Sequence, residues 1–388
     1  MFDKNTIARL QSLETPFYYY HLDVLRKTLE ACKAASSKHG FHVHYAMKAN
    51  FNPLVLDIIR EYGFGADCVS GNEVKAAIAH GFGKENIVFA GVGKSDKEIN
   101  LALDEDIFCF NAESVQELHV IDELAKAKNK VAKIAIRINP NVDAHTHHFI
   151  TTGLDENKFG INTWQLPEVA TALRNCANLQ FLGIHFHIGS QITDMEVYKN
   201  LCTRINEIQD WFEDRGFTIK VLNTGGGLGI DYQNPDTNSI SDFESYFKVF
   251  KQFLNVKPGQ EVHFELGRAL VGQSASLISR VLYVKNGQKK NFLVLDAGMT
   301  ELIRPMLYQA YHLIENLSRK SESKDSQSYK YDVVGPICES TDCFQKDVDL
   351  PESFRGDLIA VRTAGAYGEV MASSYNLRDR VASIYSEE

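Results

Sequence analysis

The stretch HVHYAMKANFNPLVLDIIREY, residues 42–62, decides the fold. It opens with a run rich in β-branched and aromatic residues, HVHYAM at 42–47, and continues as a helix-like segment over 53–62. Between them lies the turn Lys48-Ala49-Asn50. A doubly wound open sheet wants G-x-G-x-x-G in its first turn, and this turn has no glycine. Strand-like runs follow at 65–69, 86–90, 106–110, 132–138, 181–187, 219–223 and 261–265. Helix-like segments lie between them at 72–81, 96–104, 113–128, 165–178, 195–216 and 242–255. Ser70 reads as the N-cap of the helix over 72–81, with Glu73 three residues later as in a capping box. Eight strands alternating with seven helix-like segments predict an α/β fold, a closed parallel (β/α)₈ barrel of roughly 250 residues.

Beyond residue 270 the rhythm changes. Runs at 277–285, 291–296, 331–334 and 357–362 read as strands without long helices between them. The early run Phe17-Tyr18-Tyr19-Tyr20 reads as a strand that joins the same sheet. The expected organisation is a barrel over 28–270 and a mainly β domain built from 1–27 and 271–388. The polar stretch RKSESKDSQSY at 319–329 reads as an exposed loop, and no internal repeat is visible.

Composition narrows the function. The chain has 388 residues, 44% hydrophobic and 23% charged, as an ordinary globular protein does. Lys+Arg number 41 against 50 Asp+Glu, a net charge of −9, which argues against nucleic acid as a partner. An acidic ligand must then be held by a few locally placed cations. The start MFDKNTIARL has no apolar core of a signal peptide, and no run approaches 18 apolar residues, so no membrane segment is expected. The seven cysteines, Cys32, Cys68, Cys109, Cys176, Cys202, Cys338 and Cys343, are scattered and form no C-x-x-C. That pattern points to a reducing, cytoplasmic setting.

In such barrels the reactive groups gather at the C-terminal strand ends. Here those ends carry Lys48, Asp67, Asn111, Asn139, His187, the Gly225-Gly226-Gly227 loop and Glu265. A lysine just past a buried strand is expected to be desolvated, which suits a Schiff-base former. Taken alone, Lys48 reads equally well as a snorkelling surface lysine. Gly225-Gly226-Gly227-Leu228-Gly229 after the seventh strand suits an anion nest for phosphate, or else a plain tight turn. Gly91-Val92-Gly93-Lys94-Ser95 imitates a P-loop, but Val88 stands where the first glycine belongs. The histidine groups at 42/44, 185/187 and 145/147/148 invite a metal reading. Arg268 beside the last strand end speaks against a catalytic metal there, and none is expected.

A reactive lysine wants an aldehyde, a glycine nest wants a phosphate, and Glu265 suits a pyridinium nitrogen. Pyridoxal phosphate satisfies all three. In the second domain, Arg304-Pro305-Met306-Leu307-Tyr308, Ile337-Cys338-Glu339 and Gly365-Ala366-Tyr367-Gly368 put reactive residues on loops. A cysteine beside a glutamate suits a thiol that donates a proton.

The chain resembles the fold-type III pyridoxal-phosphate decarboxylases, most closely their diaminopimelate branch, from about Thr15 to Asn376. The resemblance rests on YAMKAN (45–50), Gly65–Glu73, TGLDENKFGI (152–161), HFHIGSQ (185–191), NTGGGLGIDY (223–232), ELGR (265–268), DAGMTELIRPMLYQAYH (296–312), VVGPICES (333–340) and GAYGEVMASSYN (365–376). It implies a pyridoxal 5'-phosphate enzyme that decarboxylates meso-2,6-diaminopimelate to L-lysine and carbon dioxide, the last step of lysine biosynthesis. Lys48 would bind the cofactor covalently, His187 would stack on its ring, and Glu265 would pair with the ring nitrogen. Ser190 and Gly225–Gly227 would bind phosphate, and Asp67, Gly267, Arg268 and Tyr367 would complete the cofactor site. Arg268, Arg304, Tyr308, Glu339 and Tyr367 would hold the substrate, and Cys338 would return the proton. A homodimer is implied, with Cys338 and Glu339 serving the neighbour's site. The sequence departs from the family at Leu266, where proline is usual, and over 90–95, where an asparagine-containing form is commoner. A related decarboxylase acting on another basic amino acid or on carboxynorspermidine, a non-catalytic pyridoxal-phosphate carrier or regulatory binding protein, and a racemase are the alternatives. The whole second domain weighs against the carrier, and Glu265 weighs against the racemase.

Overall fold

The computed structural model describes residues 2–142, 158–319 and 328–386. The described chain divides into two units. One comprises Leu29–Gly229 and Ser241–Leu270, the other Met1–Thr28, Ile230–Ile240 and Val271–Glu388. The short segment Ile230–Ile240 groups with the second unit, which the sequence reading does not anticipate.

The strands are numbered along the chain. β1 is Phe17–Tyr20, β2 His42–Ala46, β3 Gly65–Cys68, β4 Ile87–Phe89, β5 Cys109–Ala112 and β6 Ala132–Asn139. β7 is Ile161–Asn162, β8 Leu179–His185, β9 Val221–Asn223 and β10 Glu261–Leu266. In the first unit β2, β3, β4, β5, β6, β8, β9 and β10 pair in parallel in that order, and β10 pairs back to β2. The result is the expected closed eight-stranded barrel, with short β7 attached beyond β6. Seven of its helices follow their strands at Pro53–Glu61, Gly71–Ala79, Asp96–Glu105, Val115–Ala127, Leu166–Asn175, Met195–Glu213 and Phe243–Phe253.

Side-chain alternation sorts each strand. On β10, Phe264 faces outward and packs on Phe247 and Phe250, with ring centroids 4.9 Å apart in both cases. Glu261, His263 and Glu265 occupy the alternate face. A buried cluster of Val88, Cys109, Ala135, Leu182 and Val221 draws one residue from each of five strands. The Ser70 cap forms: its side chain accepts from the Glu73 amide. The Glu73 carboxylate reaches back one residue further than a standard box, to the Val69 amide at 2.7 Å.

In the second unit β11 is Ala275–Asn286, β12 Asn291–Leu295, β13 Ile314–Asn316, β14 Ser328–Val334, β15 Cys343–Pro351, β16 Leu358–Val361 and β17 Ala382–Tyr385. The sheet runs β13-β16-β11-β12-β14-β15, mainly antiparallel, with β12 and β14 parallel. β1 joins it antiparallel to β11, Phe17 opposite Ile278, and pairs with β17 on its other side. Leu10, Phe17, Tyr19, Ile278, Leu317, Leu358 and Ala360 form its core.

Of the expected exposed loop, Arg319 ends a short 3₁₀ turn and Ser328 and Tyr329 open β14, while 320–327 lie outside the described residues. His145, His147, His148 and the 152–157 part of TGLDENKFGI also lie outside them. Among the described residues no helix is long and apolar enough to cross a membrane.

Candidate active site

Glu265 sits near the C-terminal end of β10, fully inside the barrel. Its Oε1 accepts from Asn111 Nδ2 at 2.9 Å and from Asn223 Nδ2 at 2.8 Å. His185 Nε2 lies 2.9 Å from Oε2. The three partners come from β5, β9 and β8, so closure of the barrel itself assembles the carboxylate's cage. A carboxylate offers about four lone-pair sites, so about one remains.

Asp67, at the end of β3, is the opposite case. It is equally buried, yet among the described residues neither carboxyl oxygen has a hydrogen-bond partner. Lys48 Nζ approaches its Oδ2 at 3.8 Å. Burial raises the pKa of both groups. At Glu265 the His185 ring, through its charge and its hydrogen bond, and then the charge of Lys48 overcome burial and hold it well below the usual carboxylate range. At Asp67 burial and then the charge of Glu265 push it well above that range, and Lys48 offsets only part. The donors around Glu265 favour its charged form, and their lack at Asp67 favours the neutral one.

Lys48 lies in the 3₁₀ turn Met47–Ala49 directly after β2. Its side chain is 37% exposed, so the expected desolvation is only partial, because the turn lifts it off the strand end. Gly267 lets the chain after β10 lie against this turn. A Cβ there would stand 3.0 Å from Ala49 Cβ and 3.2 Å from Ala46 Cβ.

The glycine loop differs from a simple nest. The Gly225 amide donates to Asn223 Oδ1 at 3.0 Å, and the Gly226 amide to His187 Nδ1 at 3.4 Å. Two of the three amides are therefore turned toward the chain itself. Close approach explains the glycines: a Cβ on Gly226 would lie 1.8 Å from the Glu265 carbonyl, and one on Gly225 2.1 Å from that of Phe186. His187 is pushed well below its ordinary value by burial, then by Lys48 and Arg137, so it is a neutral ring with its proton on Nε2. Arg268 is buried, and its Nε and Nη2 donate to Ser190 Oγ at 3.2 and 3.1 Å. Lys94 of the P-loop imitation is spent within the fold, on the Gly91 and Asn111 carbonyls and Glu117.

The remaining expected residues lie in the second unit. Arg304 opens the short helix Arg304–Tyr308, which also carries Tyr308. It is buried, its Nη1 donates to Tyr232 Oη at 2.8 Å, and His312 Nε2 lies 3.2 Å away. Cys338 and Glu339 are exposed on the loop between β14 and β15. Asp342 pins that loop by accepting from Ile337 and Met299 amides, both at 2.7 Å. Glu339 Oε1 accepts from Tyr375 Oη at 2.6 Å, and the Cys338 amide donates to Asn376 Oδ1 at 3.0 Å. Tyr367 holds a left-handed backbone, φ 56°, which a tyrosine rarely adopts.

Sequence reasoning missed His185 and Asn223 as the holders of Glu265, and Asp342 as the loop's anchor. For His185 the signal was present: two residues before His187, it shares that face of its strand. Asp342 gave no signal, because its role depends on where two loops meet.

Comparison with known proteins agrees with this geometry. The family described as "Pyridoxal-dependent decarboxylase, pyridoxal binding domain" matches residues 23–272. The diaminopimelate decarboxylase of Bacteroides thetaiotaomicron is 56% identical over 383 residues, 98% of each chain. That of Aquifex aeolicus is 40% identical over 378 residues, 97% of this chain and 88% of its own. The crystal structure of the Helicobacter pylori diaminopimelate decarboxylase complexed with L-lysine superposes with a TM-score of 0.90 at 38% identity. It covers 98% of this chain and 93% of that one. A closed barrel whose interior carboxylate is caged by Asn111, Asn223 and His185, joined to a mainly antiparallel sheet and alike to these enzymes over almost its whole length, belongs to the diaminopimelate decarboxylase family of pyridoxal-dependent decarboxylases.

Proposed function

We propose that this chain decarboxylates meso-2,6-diaminopimelate to L-lysine and carbon dioxide with pyridoxal 5'-phosphate. The observation that carries the reading is Glu265, caged inside the barrel by Asn111, Asn223 and His185 with about one acceptor site left, in a chain that matches diaminopimelate decarboxylases over 98% of its length.

The residues present fit the cofactor. Asp67 offers two buried oxygens without a partner, a site that a bound polar group completes. The Gly225–Gly227 loop is packed directly on the Phe186, Glu265 and Gly189 carbonyls, which fixes its backbone at the strand ends. Lys48 would bind the cofactor, His187 would face its ring, and Glu265 would hold its ring nitrogen protonated. Asp67, Ser190, Gly225, Gly226, Gly227, Gly267, Arg268 and Tyr367 would complete the hold. When bound, the cofactor supplies a sink for the electron pair left behind as the α-carboxylate departs. Arg268, Tyr308 and Tyr367 would orient the substrate. The Arg304 guanidinium would grip the distal carboxylate, and Glu339 would accept from the distal ammonium. Cys338 would deliver the proton that replaces the lost carboxylate.

The same reading makes the protein a homodimer in which Cys338 and Glu339 of one chain serve the site of the other. Its support is the exposure of both, beside an almost wholly exposed Leu377 (96%) and an exposed Tyr375. A cytoplasmic location is supported by seven unpaired cysteines. Incubation of the cofactor-loaded protein with meso-diaminopimelate tests the function: carbon dioxide and L-lysine should appear in equal amounts. A loaded protein that releases neither would overturn it.

A further inference from the structure

At the N-terminal strand ends of the barrel, away from Glu265, lies a second polar cluster. His42 begins β2, and Glu261 begins β10, with His263 two residues further on. The parallel register sets His263 opposite His42. One ligand atom each from His42, Glu261 and His263 lie within 4.8 Å of one another. None of the three belongs to the proposed decarboxylation machinery.

A chain of hydrogen bonds assigns the protons in this cluster. The Asn86 carbonyl only accepts, so His44 Nδ1, 3.0 Å away, carries a hydrogen. His44 and His263 are both buried, which disfavours a charged ring. His44 Nε2 therefore presents a lone pair. It lies 2.8 Å from His263 Nδ1, which must donate. His263 Nε2 is then a lone pair as well, and it faces Glu261 Oε2 at 3.2 Å. A carboxylate also only accepts. Two lone pairs at that distance repel unless a positive charge lies between them. His42, stacked on His263 with ring centroids 4.8 Å apart, brings a third ligand atom within 4.8 Å of the other two. Phe108 stacks on His263 with an interplanar angle of 4° and fixes the plane of the ring.

We propose that His42, Glu261 and His263 bind a divalent ion of the zinc class, with His44 as the residue that positions His263. Two imidazoles and a carboxylate are a recurrent zinc ligand set, and a ligating histidine almost always donates its other N–H to an outer partner. Tetrahedral zinc with bonds of about 2.1 Å holds its ligand atoms about 3.4 Å apart. Glu261 and His263 already meet that spacing, at 3.2 Å. The exposed His42 needs only a small adjustment to join them. The ion would clip β2 to β10, the strands that lead to Lys48 and carry Glu265.

Calorimetric titration of the cofactor-loaded, desalted protein with zinc chloride tests this, together with thermal unfolding with and without zinc. Wild type should bind one zinc per chain and melt at a higher temperature with it. His42→Ala and Glu261→Gln should each weaken binding by at least about tenfold and lose the melting shift. Both positions are exposed, and an unchanged cofactor absorbance will show that the variants are folded. Cobalt in place of zinc should give visible bands of a four- or five-coordinate ion that depend on both residues. Absence of saturable zinc binding by wild type would overturn the proposal in favour of a proton shared between Glu261 and His263. Equal binding by wild type and both variants would also overturn it, since the ion would then sit elsewhere.

Discussion

Two buried carboxyls in one barrel interior are pushed in opposite directions, and the reason is the count of donors around each. Glu265 has Asn111, Asn223 and His185; Asp67 has none. The charge on Glu265 is what the proposed chemistry needs, because a neutral partner cannot keep a ring nitrogen protonated. Glu265→Gln keeps the shape and removes the charge. Its turnover number should fall by at least about 10²-fold, with a smaller change in KM. An unchanged turnover number in steady-state assays would mean that the carboxylate serves only the fold. The role of Lys48 is separately testable. Borohydride reduction of the loaded protein and peptide mapping should find the cofactor on Lys48, and a label on any other lysine would remove the assignment.

At the scale of elements, short local devices hold the site's scaffold. The helix Gly71–Ala79 directly follows the strand of Asp67, and Ser70 and Glu73 satisfy amides at its start. Ser70→Ala should cost about 1 kcal/mol of stability, read by thermal unfolding. Gly226→Ala should be far more harmful. Its Cβ would meet a backbone oxygen of β10, which cannot swing away, so the variant should lose cofactor retention, read by absorbance after desalting. These elements show what the sequence made legible. Every barrel strand was visible, because burial on both faces leaves nearly continuous apolar runs such as AKIAIRI. The helix Leu22–Ser37 went unread although Leu25, Leu29, Cys32 and Ser36 bury one face at helical spacing. β13, β15 and β17 were missed because they are short or half-exposed, as the mixed burial of CFQKDVDLP shows. The proposed site residues of the barrel stand out in the sequence as polar interruptions at strand ends. Their partners do not, since the Asn223 and His185 contacts with Glu265 join strands far apart in sequence.

At the scale of the whole molecule, buried neutral histidines set the response to acid. His21 is pushed down to about 3 by burial and then by the charge of Arg362. Its folded-state pKa is depressed, so its contribution is complete above the ordinary imidazole value and is lost as pH falls from there toward 3. About 2 kcal/mol should disappear between pH ~7 and pH ~5, and His21→Phe should flatten that part of a stability–pH curve measured by thermal unfolding. Assembly gives another test. Lys48→Ala and Cys338→Ala should each be nearly inactive, and their re-assorted mixture should regain roughly a quarter of wild-type activity, because half the dimers would hold one intact site. No recovery despite subunit exchange would place each site within one chain. The central claim is the substrate, and it turns on the far end of the molecule that Arg304 and Glu339 would read. Ornithine and lysine lack the distal carboxylate and would leave a buried guanidinium without it, a loss of about 2–5 kcal/mol. The decisive measurement is kcat/KM for meso-diaminopimelate, lysine, ornithine and carboxynorspermidine, on wild type and on Arg304→Met. Wild type should strongly prefer meso-diaminopimelate and the variant should lose that preference, whereas ornithine or carboxynorspermidine matching or exceeding it on wild type would contradict the assignment.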